Sequence, residues 1–517
     1  MIPVTRPYLP NREKLEEYID GIYERQWLTN NGPLVQELTK RLEKYLGVEN
    51  LLLVSNGTLA LQIAYRTLGV NKVFNGKPAE AITTPFSFIA TASSLKWEEI
   101  NPVFVDIDAE TWCLDPKNVE SAITKQTRAI VPVHVFGNPC DVESIQNIAD
   151  KYDLKIIYDA AHAFDVSYKG QSILKYGDAS ILSLHATKLF HSIEGGAIIF
   201  KRKEDLEKAK KLINFGISSP DCIDELGINA KMGEFNAAMG LCVLDEIQNV
   251  REKRRKIWDI YSQTLDKIIV KQKWLDHSIN NYAYFPIVLP SEKDVLNLMQ
   301  DLASENIQVR RYFHPSLESV KVLGDYAELP VSQSISSKVL CLPLYPDLNV
   351  KDVLPSLQKY LGQFAIVDLK DLPDEKIVEF IQDMDNFFNP PIGKQIFLDD
   401  YVKKVKNQGY ILGNLSNEKN INGLIGFYAN DQVNQKAFIS YLSVNPKYQG
   451  KGLAKKLIRQ VLRACREKNM KICQVTTWSE NQNALSLYRQ LGFQEIYQKQ
   501  DRGRVTVFLE ISLPNEI

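Results

Sequence analysis

Between about residues 35 and 200 the chain alternates between two apolar patterns. Short runs of four to eight residues, NLLLVS, AITTP, PVFVDI, AIVPVHVF, KIIYDAA, ASILSLH and AIIF, are bounded by polar or turn-forming positions, and several are rich in Val and Ile. Between them lie helical stretches such as VESIQNIADKYD. Near-continuous apolar runs suit strands buried on both faces, and strands alternating with helices predict a largely parallel sheet with covered faces. In such sheets ligands sit beyond the carboxyl ends of the strands, so the polar residues ending each run carry the chemistry.

From about 204 to 265 the pattern is helical, with polar loops around SSPDCIDELG. Residues 280–360 mix strands (YAYFPIVL, QVRRYF) with helices (SEKDVLNLMQDLA, VLPSLQKYL), as a smaller α+β lobe would. GQFAIV then starts a fresh strand, which places a boundary at 362/363 and divides the chain into domains 1–362 and 363–517. The last part reads as strand, helices, hairpin, long helix, strand, helix, strand.

Composition narrows the function classes. A length of 517 residues calls for two or more folding units. The net charge of −1 offers no field for nucleic acid or an anionic membrane. No apolar run reaches the ~20 residues that span a bilayer, and the N-terminus lacks a secretory signal pattern. The seven cysteines are scattered and never spaced as CxxC, and six histidines show no metal-ligand spacing. Reduced thiols in a cytoplasmic protein without a metal are the expectation.

Lys188 follows the run SILSLHAT and precedes Gly195-Gly196; alone, such a lysine is ordinary surface. Asp159 ends KIIYD, where a carboxylate fits equally as a helix cap. Together, an edge lysine and an edge carboxylate suggest pyridoxal phosphate, which needs an amine for its Schiff base and an acid against its pyridine nitrogen. Ser55-Asn56-Gly57-Thr58 follows a strand and opens a helix, either a phosphate cup or a plain capped helix. Phe86 and Phe88 end another run; one could stack on the cofactor ring, and a core role suits either.

SNGTLAL, TPFSFIAT, PVFVDID, PVHVFGNPCDV, IIYDAAHAF, SLHATK, EGGAI and GINAKMGEFNAAMGL resemble, in order, the motifs of the DegT/DnrJ/EryC1/StrS aminotransferases, over roughly residues 1–360. The nearest likeness is to members that aminate C4 of dTDP-4-keto-6-deoxyglucose. The resemblance implies a fold-type-I pyridoxal-phosphate enzyme, a large α/β domain with a small α+β lobe, working as a homodimer. By motif, Lys188 carries the cofactor and shuttles the proton, Asp159 pairs with the pyridinium nitrogen, His162 sits beside the ring and Phe88 stacks on it. Gly57, Thr58 and Ser183 hold the phosphate, and Asn229 reaches in from the partner subunit. Lys231 replaces a frequent arginine and meets the nucleotide diphosphate as a point charge, without bidentate geometry. Members with histidine at the Schiff-base position dehydrate instead; lysine here favours transamination.

The second constellation is FISYLSVNPKYQGKGLAKKLIRQVLRACREKN, a strand, a glycine turn and an amphipathic helix. Gly450 and Gly452 let backbone amides approach a pyrophosphate at a helix start, with Lys451, Lys455 and Lys456 nearby; a turn with a solvated basic face fits too. Downstream, SENQNALSLYRQLGF places Ala484 and Tyr488 on one helix face, where the tyrosine equally suits packing. The two segments resemble the Gcn5-related N-acetyltransferases (GNAT), over about 365–512, with Gln449–Ala454 matching the (Q/R)xxGx(G/A) loop. An α+β domain using acetyl-CoA is implied. Residues Gln449, Gly450, Lys451, Gly452, Leu453 and Ala454 bind its pyrophosphate, Leu442 and Val444 pair with the pantetheine arm, Asn481 contacts the cofactor and Tyr488 protonates the thiolate. No residue announces itself as the base for the acceptor amine.

The expected function is bifunctional: transamination of a dTDP-4-keto-6-deoxyhexose with L-glutamate, then N-acetylation of the 4-amino sugar for bacterial surface polysaccharide. Amination and acetylation at C3, or an acetyltransferase with an unrelated acceptor, are the alternatives. A cofactor-binding regulator is disfavoured by the intact Lys188 and Asp159.

Overall fold

The computed structural model describes residues 1–517 except 74–75, 266–268, 325, 363–364, 386, 388–395, 417–419, 451, 502–503 and 514–517. The chain forms two compact units, one of residues 1–263 with 270–354 and one of 264–269 with 355–517.

In the first unit, helices α1 (Arg12–Arg25) and α2 (Pro33–Leu46) precede a seven-stranded sheet. Its strands are β1 (Leu51–Val54), β2 (Glu80–Thr83), β3 (Asn101–Phe104), β4 (Thr127–Val131), β5 (Lys155–Asp159), β6 (Ala179–Ser183) and β7 (Gly196–Phe200). Each of the seven apolar runs forms one of them. Their order is β1-β7-β6-β5-β4-β2-β3, and β7 alone runs against the others. Alternate residues of β5 point to opposite cores: Ile156 and Tyr158 to one, Ile157 to the other. Burying each such side chain contributes about 1.5–3 kcal/mol, which is why these runs carry no polar alternation.

Helices α3 (Gly57–Thr67), α4 (Ala90–Trp97), α5 (Val142–Tyr152), α6 (Lys203–Leu212) and α7 (Glu234–Leu265) pack around the sheet. A small lobe follows, with α8 (Glu292–Ser304), α9 (Pro330–Lys338) and an antiparallel pair Pro286–Val288 with Val339–Cys341. Two readings of the sequence change. QVRRYF is not a strand; within it only Arg310 makes an isolated bridge, to Cys341, while Ile307 just before it bridges Ile2. The loop SSPDCIDELG contains a two-stranded ribbon, Ile217–Ser219 with Cys222–Ile223, turned by Pro220-Asp221.

The second unit holds another seven-stranded sheet: β8 (Ile366–Asp368), β9 (Tyr410–Leu415), β10 (Ile421–Asp431), β11 (Lys436–Val444), β12 (Ile472–Trp478), β13 (Gln494–Asp501) and β14 (Arg504–Ser512), ordered β8-β9-β10-β11-β12-β14-β13. Helices α10 (Asp374–Asp385) and α11 (Leu398–Gln408) bury Leu424 of β10 on one face. Helices α12 (Leu453–Glu467) and α13 (Gln482–Gln490) bury its neighbour Ile425 on the other. In α12 the buried set Leu457, Ile458, Val461, Leu462 and Cys465 follows the helical period, the stripe that marked this helix in the sequence.

Candidate active sites

Strands β1, β2, β5 and β6 run parallel, so Val54, Thr83, Asp159 and Ser183 end at one edge of the sheet. Because β7 runs the other way, its first residue, Gly196, lies at that same edge, in register with Val54 on one side and Ser183 on the other. A β-carbon on Gly196 would stand 2.5 Å from the carbonyl of Asn56 and 2.8 Å from the Gly57 nitrogen. Only glycine lets the loop before α3 press against the sheet there. Gly57 is also tightly placed: a β-carbon on it would lie 3.1 Å from Ser183 Cβ.

Asn56 caps α3, accepting from the Leu59 N–H over 2.8 Å. The Gly57 and Thr58 amides precede the first intrahelical bond, Ala60 N–H to Asn56 C=O, and so stand at the positive end of the helix dipole. Gly57, Thr58 and Ser183 thus form a small cradle suited to a phosphate.

Asp159 is buried at 6% exposure. Its Oδ2 accepts from the Thr91 hydroxyl at 2.7 Å and its Oδ1 from the Ala161 N–H at 3.1 Å. Burial raises its pKa; the two hydrogen bonds and the charge of Lys188 oppose that rise. Lys188 lies in the loop between β6 and β7, closed by Ala186 N–H to Ile193 C=O and Ser192 N–H to Leu184 C=O. Burial lowers its pKa, against the pull of Asp159 and Tyr312. No ion pair within 4.0 Å engages Lys188 among the described residues; its Nζ donates to Tyr284 Oη at 3.4 Å.

His162 accepts at Nδ1 from the Phe136 N–H at 3.2 Å, which leaves the proton on Nε2. Its pKa is pushed well below the ordinary value by burial and by Lys188, so the ring is neutral. Of the two candidate phenylalanines, Phe86 is fully buried and packs edge-on against Trp112, Phe136 and Phe313. Phe88 is 51% exposed, and its carbonyl accepts from the N–H of Thr91, the residue that grips Asp159.

Two residues are less committed to the cradle. Asn229 is exposed and bridges Asn214, while its neighbour Ala230 accepts from Ser55 N–H beside the cradle. Lys231 Nζ donates to Asn214 Oδ1 at 2.7 Å and lies 5.1 Å above the Phe215 ring. Sequence reasoning missed Thr91 and Tyr284. Thr91 sits inside TPFSFIAT and shows its role only once β2 and β5, with β4 between them, end at one edge of the sheet.

The donor set therefore fits pyridoxal phosphate: a phosphate cradle, a buried carboxylate with no ion pair within 4.0 Å among the described residues, and a largely buried amine nearby.

In the second unit, β11 pairs with β12 only from Lys436 to Ile439, against Ile472 to Val475; beyond that the strands splay. The Val444 carbonyl accepts from Gln449 Nε2 at 2.9 Å, and Asn445 N–H donates to Asn422 on β10. A strand residue directs its N–H and C=O to the same side, so the Val444 amide faces the opening, as does that of Leu442 two residues back. Gly450 and Gly452 have φ of 72° and 77°, conformations that bend the loop into the start of α12. Gly452 caps α12 without a side chain, leaving the Leu453 and Ala454 amides toward solvent. Lys451 lies outside the described residues.

Asn481 caps α13, its Oδ1 accepting from Ala484 N–H at 3.2 Å, so its oxygen serves the helix. Tyr488, 5% exposed, packs on Phe493, and its hydroxyl has no hydrogen-bonding partner among the described residues. Burial raises its pKa, which keeps the phenol protonated.

Fold and donor chemistry define two classes in one chain: a pyridoxal-phosphate sugar aminotransferase and an acetyl-CoA-dependent acetyltransferase. Residues 11–356 match the DegT/DnrJ/EryC1/StrS aminotransferase family and residues 376–493 the acetyltransferase (GNAT) family. The chain belongs to the DegT/DnrJ/EryC1/StrS family and carries a GNAT domain behind it. It is 43% identical over 358 residues to dTDP-4-amino-4,6-dideoxy-D-glucose transaminase of Shigella dysenteriae, covering 68% of this chain and 95% of that one. The Escherichia coli protein of the same name is 39% identical over 375 residues, covering 70% and 98%. Among solved structures, DesI in the presence of its TDP-sugar product aligns with a TM-score of 0.65 and 32% identity, over 70% of this chain and 93% of DesI.

Proposed function

We propose that the chain aminates C4 of a dTDP-linked 4-keto-6-deoxyhexose with L-glutamate as donor, and then N-acetylates the new amine. The observation that carries the first step is the 43% identity to a dTDP-4-amino-4,6-dideoxy-D-glucose transaminase over nearly that protein's full length. The second step is supported by the GNAT domain on the same chain, an amine consumer joined to an amine maker. We place the domain boundary at 362/363. The protein works as a cytoplasmic homodimer supplying surface polysaccharide.

Pyridoxal phosphate, when bound, supplies the carbonyl that takes up the amino group and a ring that spreads negative charge. Gly57, Thr58 and Ser183 hold its phosphate, with Asn229 of a second subunit. Asp159 faces the ring nitrogen and keeps a proton there. Neutral His162 and Phe88 confine the ring, excluding water. Lys188 would anchor the cofactor and, as a neutral amine, deliver the proton to sugar C4. Lys231 meets the diphosphate, giving up its bond to Asn214.

In the second unit the amides of Gln449, Gly450, Lys451, Gly452, Leu453 and Ala454 bind the pyrophosphate of acetyl-CoA, and Leu442 and Val444 pair with its pantetheine arm. Asn481 lies against the cofactor through its amide nitrogen. The sugar amine attacks the thioester carbonyl, the C–S bond breaks, Tyr488 delivers a proton to the thiolate sulfur, and the proton lost by the amine passes through solvent and restores the phenol.

The test is incubation of the whole protein with dTDP-4-keto-6-deoxyglucose, L-glutamate and acetyl-CoA. A 4-acetamido sugar is expected, with nitrogen located at C4 by NMR. Accumulation of the free amine alone would overturn the coupled reading.

A further inference from the structure

Tyr284 lies in the run YAYFPIVL and belongs to none of the chemical motifs read from the sequence. It ends the segment Asn280-Asn281-Tyr282-Ala283-Tyr284 that leads into the strand Pro286–Val288. Asn281 is fully buried, and its Nδ2 donates to the carbonyls of His162 at 2.8 Å and Phe164 at 2.9 Å. That grip fixes the segment against the loop after β5. Three residues on, the Tyr284 ring lies 4.7 Å from that of His162, 5.4 Å from Phe136 and 5.9 Å from Tyr312, centre to centre. Packed on three sides, it brings its hydroxyl to Lys188 Nζ, at 3.4 Å the one hydrogen bond that Nζ makes among the described residues. Asp159 makes no ion pair with Nζ within 4.0 Å among the described residues, and its oxygens accept from Thr91 and Ala161.

We propose that Tyr284 is a positioning residue for Lys188, holding Nζ at the sheet edge through both of its protonation states whenever the amine is not covalently engaged. The proposal rests on the reading of Lys188 as the amine that anchors the cofactor and moves the proton. A phenol suits the task because it accepts from an ammonium and donates to a free amine; a phenylalanine does neither and a carboxylate only the first. Burial raises the phenol's pKa, with Cys341 adding and Arg254 and Arg310 opposing, so it keeps its proton. The other groups that act on Lys188 are Asp159 and Tyr312, which favour its charged form, while neutral His162 stands alongside. Without Tyr284's hydroxyl, Nζ has no hydrogen-bonding partner among the described residues and sweeps a wider volume. Fewer of its conformations then reach the reacting carbon.

The test is Tyr284→Phe, which keeps the ring. The melting temperature should be unchanged, and affinity for pyridoxal phosphate and KM for both substrates should stay within about twofold, while kcat for amination falls about tenfold, the size of a lost positioning contact. A second readout is free of turnover: the pH dependence of the rate at which stripped protein recaptures pyridoxal phosphate, which follows the neutral fraction of Lys188. A hydrogen bond to the charged form is the stronger one, so its loss moves that limb to lower pH by about half a unit or more. An unmoved limb, whether kcat stays or falls with cofactor affinity, would overturn the proposal and leave Tyr284 a packing residue. If Tyr284→Phe does not fold, Tyr284→Met is read by the same limb. Lys188→Ala, run in parallel, separates the two claims: if it still aminates, the reading of Lys188 itself has failed.

Discussion

The Thr91 hydroxyl donates to Asp159 Oδ2 over 2.7 Å, so its oxygen must accept from Ser87, also at 2.7 Å. This short relay, with the Ala161 amide, is what the fold provides for a carboxylate that burial would otherwise neutralise. The folded pKa of Asp159 is still raised above its unfolded value. Its contribution to stability is therefore full below the unfolded pKa and lost as pH rises through the folded one.

That sign gives a pH-dependent prediction for protein stripped of pyridoxal phosphate. Asp159→Asn should melt higher than wild type at pH 8, because no charge is then buried. The difference should shrink toward zero as pH falls below the ordinary carboxylate range, where wild-type Asp159 is protonated in the folded and unfolded states alike. Melting by calorimetry across that range checks it, and a pH-independent difference would sink the idea. Amination by Asp159→Asn should fall by at least about a hundredfold, since an amide cannot hold the ring nitrogen's proton.

Gly196→Ala tests the cradle. The added methyl meets backbone, not the end of a flexible side chain, so β7 or the Asn56–Gly57 peptide must move. Stability should drop by about 1–3 kcal/mol, as for overpacking. Affinity for pyridoxal phosphate, measured by equilibrium dialysis, should fall by more than tenfold. Retained affinity would show that the phosphate is held elsewhere.

The strands and the line of chemistry along their ends were legible in the sequence for a physical reason. Strands buried on both faces must be apolar throughout, so the polar residue that breaks each run is conspicuous: Asp159 after KIIY, Ser183 after ASIL. Cross-chain relations were not legible. Thr91 and Tyr284 act on residues 68 and 96 positions away, and neither looks unlike an ordinary helix or core residue until the sheet is assembled. QVRRYF misled because its alternation resembles a strand, whereas only an isolated bridge forms there. In the second unit the amphipathic stripe of α12 revealed the helix, but the splay of β11 from β12 leaves no mark in either strand's composition.

Gly452 probes the acetyl-CoA loop. At φ 77° with open space around its α-carbon, Gly452→Ala meets a conformational cost of about 1–2 kcal/mol and no collision. KM for acetyl-CoA should rise severalfold with kcat for acetyl transfer little changed, because the loop is disordered rather than blocked. Steady-state kinetics on purified 4-amino sugar checks this. An unchanged KM would place the pyrophosphate away from the start of α12.

Tyr488→Phe probes the acid. The hydroxyl has no hydrogen-bonding partner among the described residues, so its removal leaves no orphaned group, and the ring's packing on Phe493 persists. Melting of the second unit should shift little. Burial holds the phenol protonated across the neutral range, the form needed for the proposed donation to the thiolate as the C–S bond breaks. Losing a general acid costs roughly a hundredfold or more in kcat. The loss should be smaller with a thioester whose thiol is more acidic, since that leaving group needs less help. Amination, carried by the other unit, should proceed at the wild-type rate and let the free amino sugar accumulate. If both activities fall together, or if the acidic thiol gives no rescue, Tyr488 is a packing residue and the proton comes from another group.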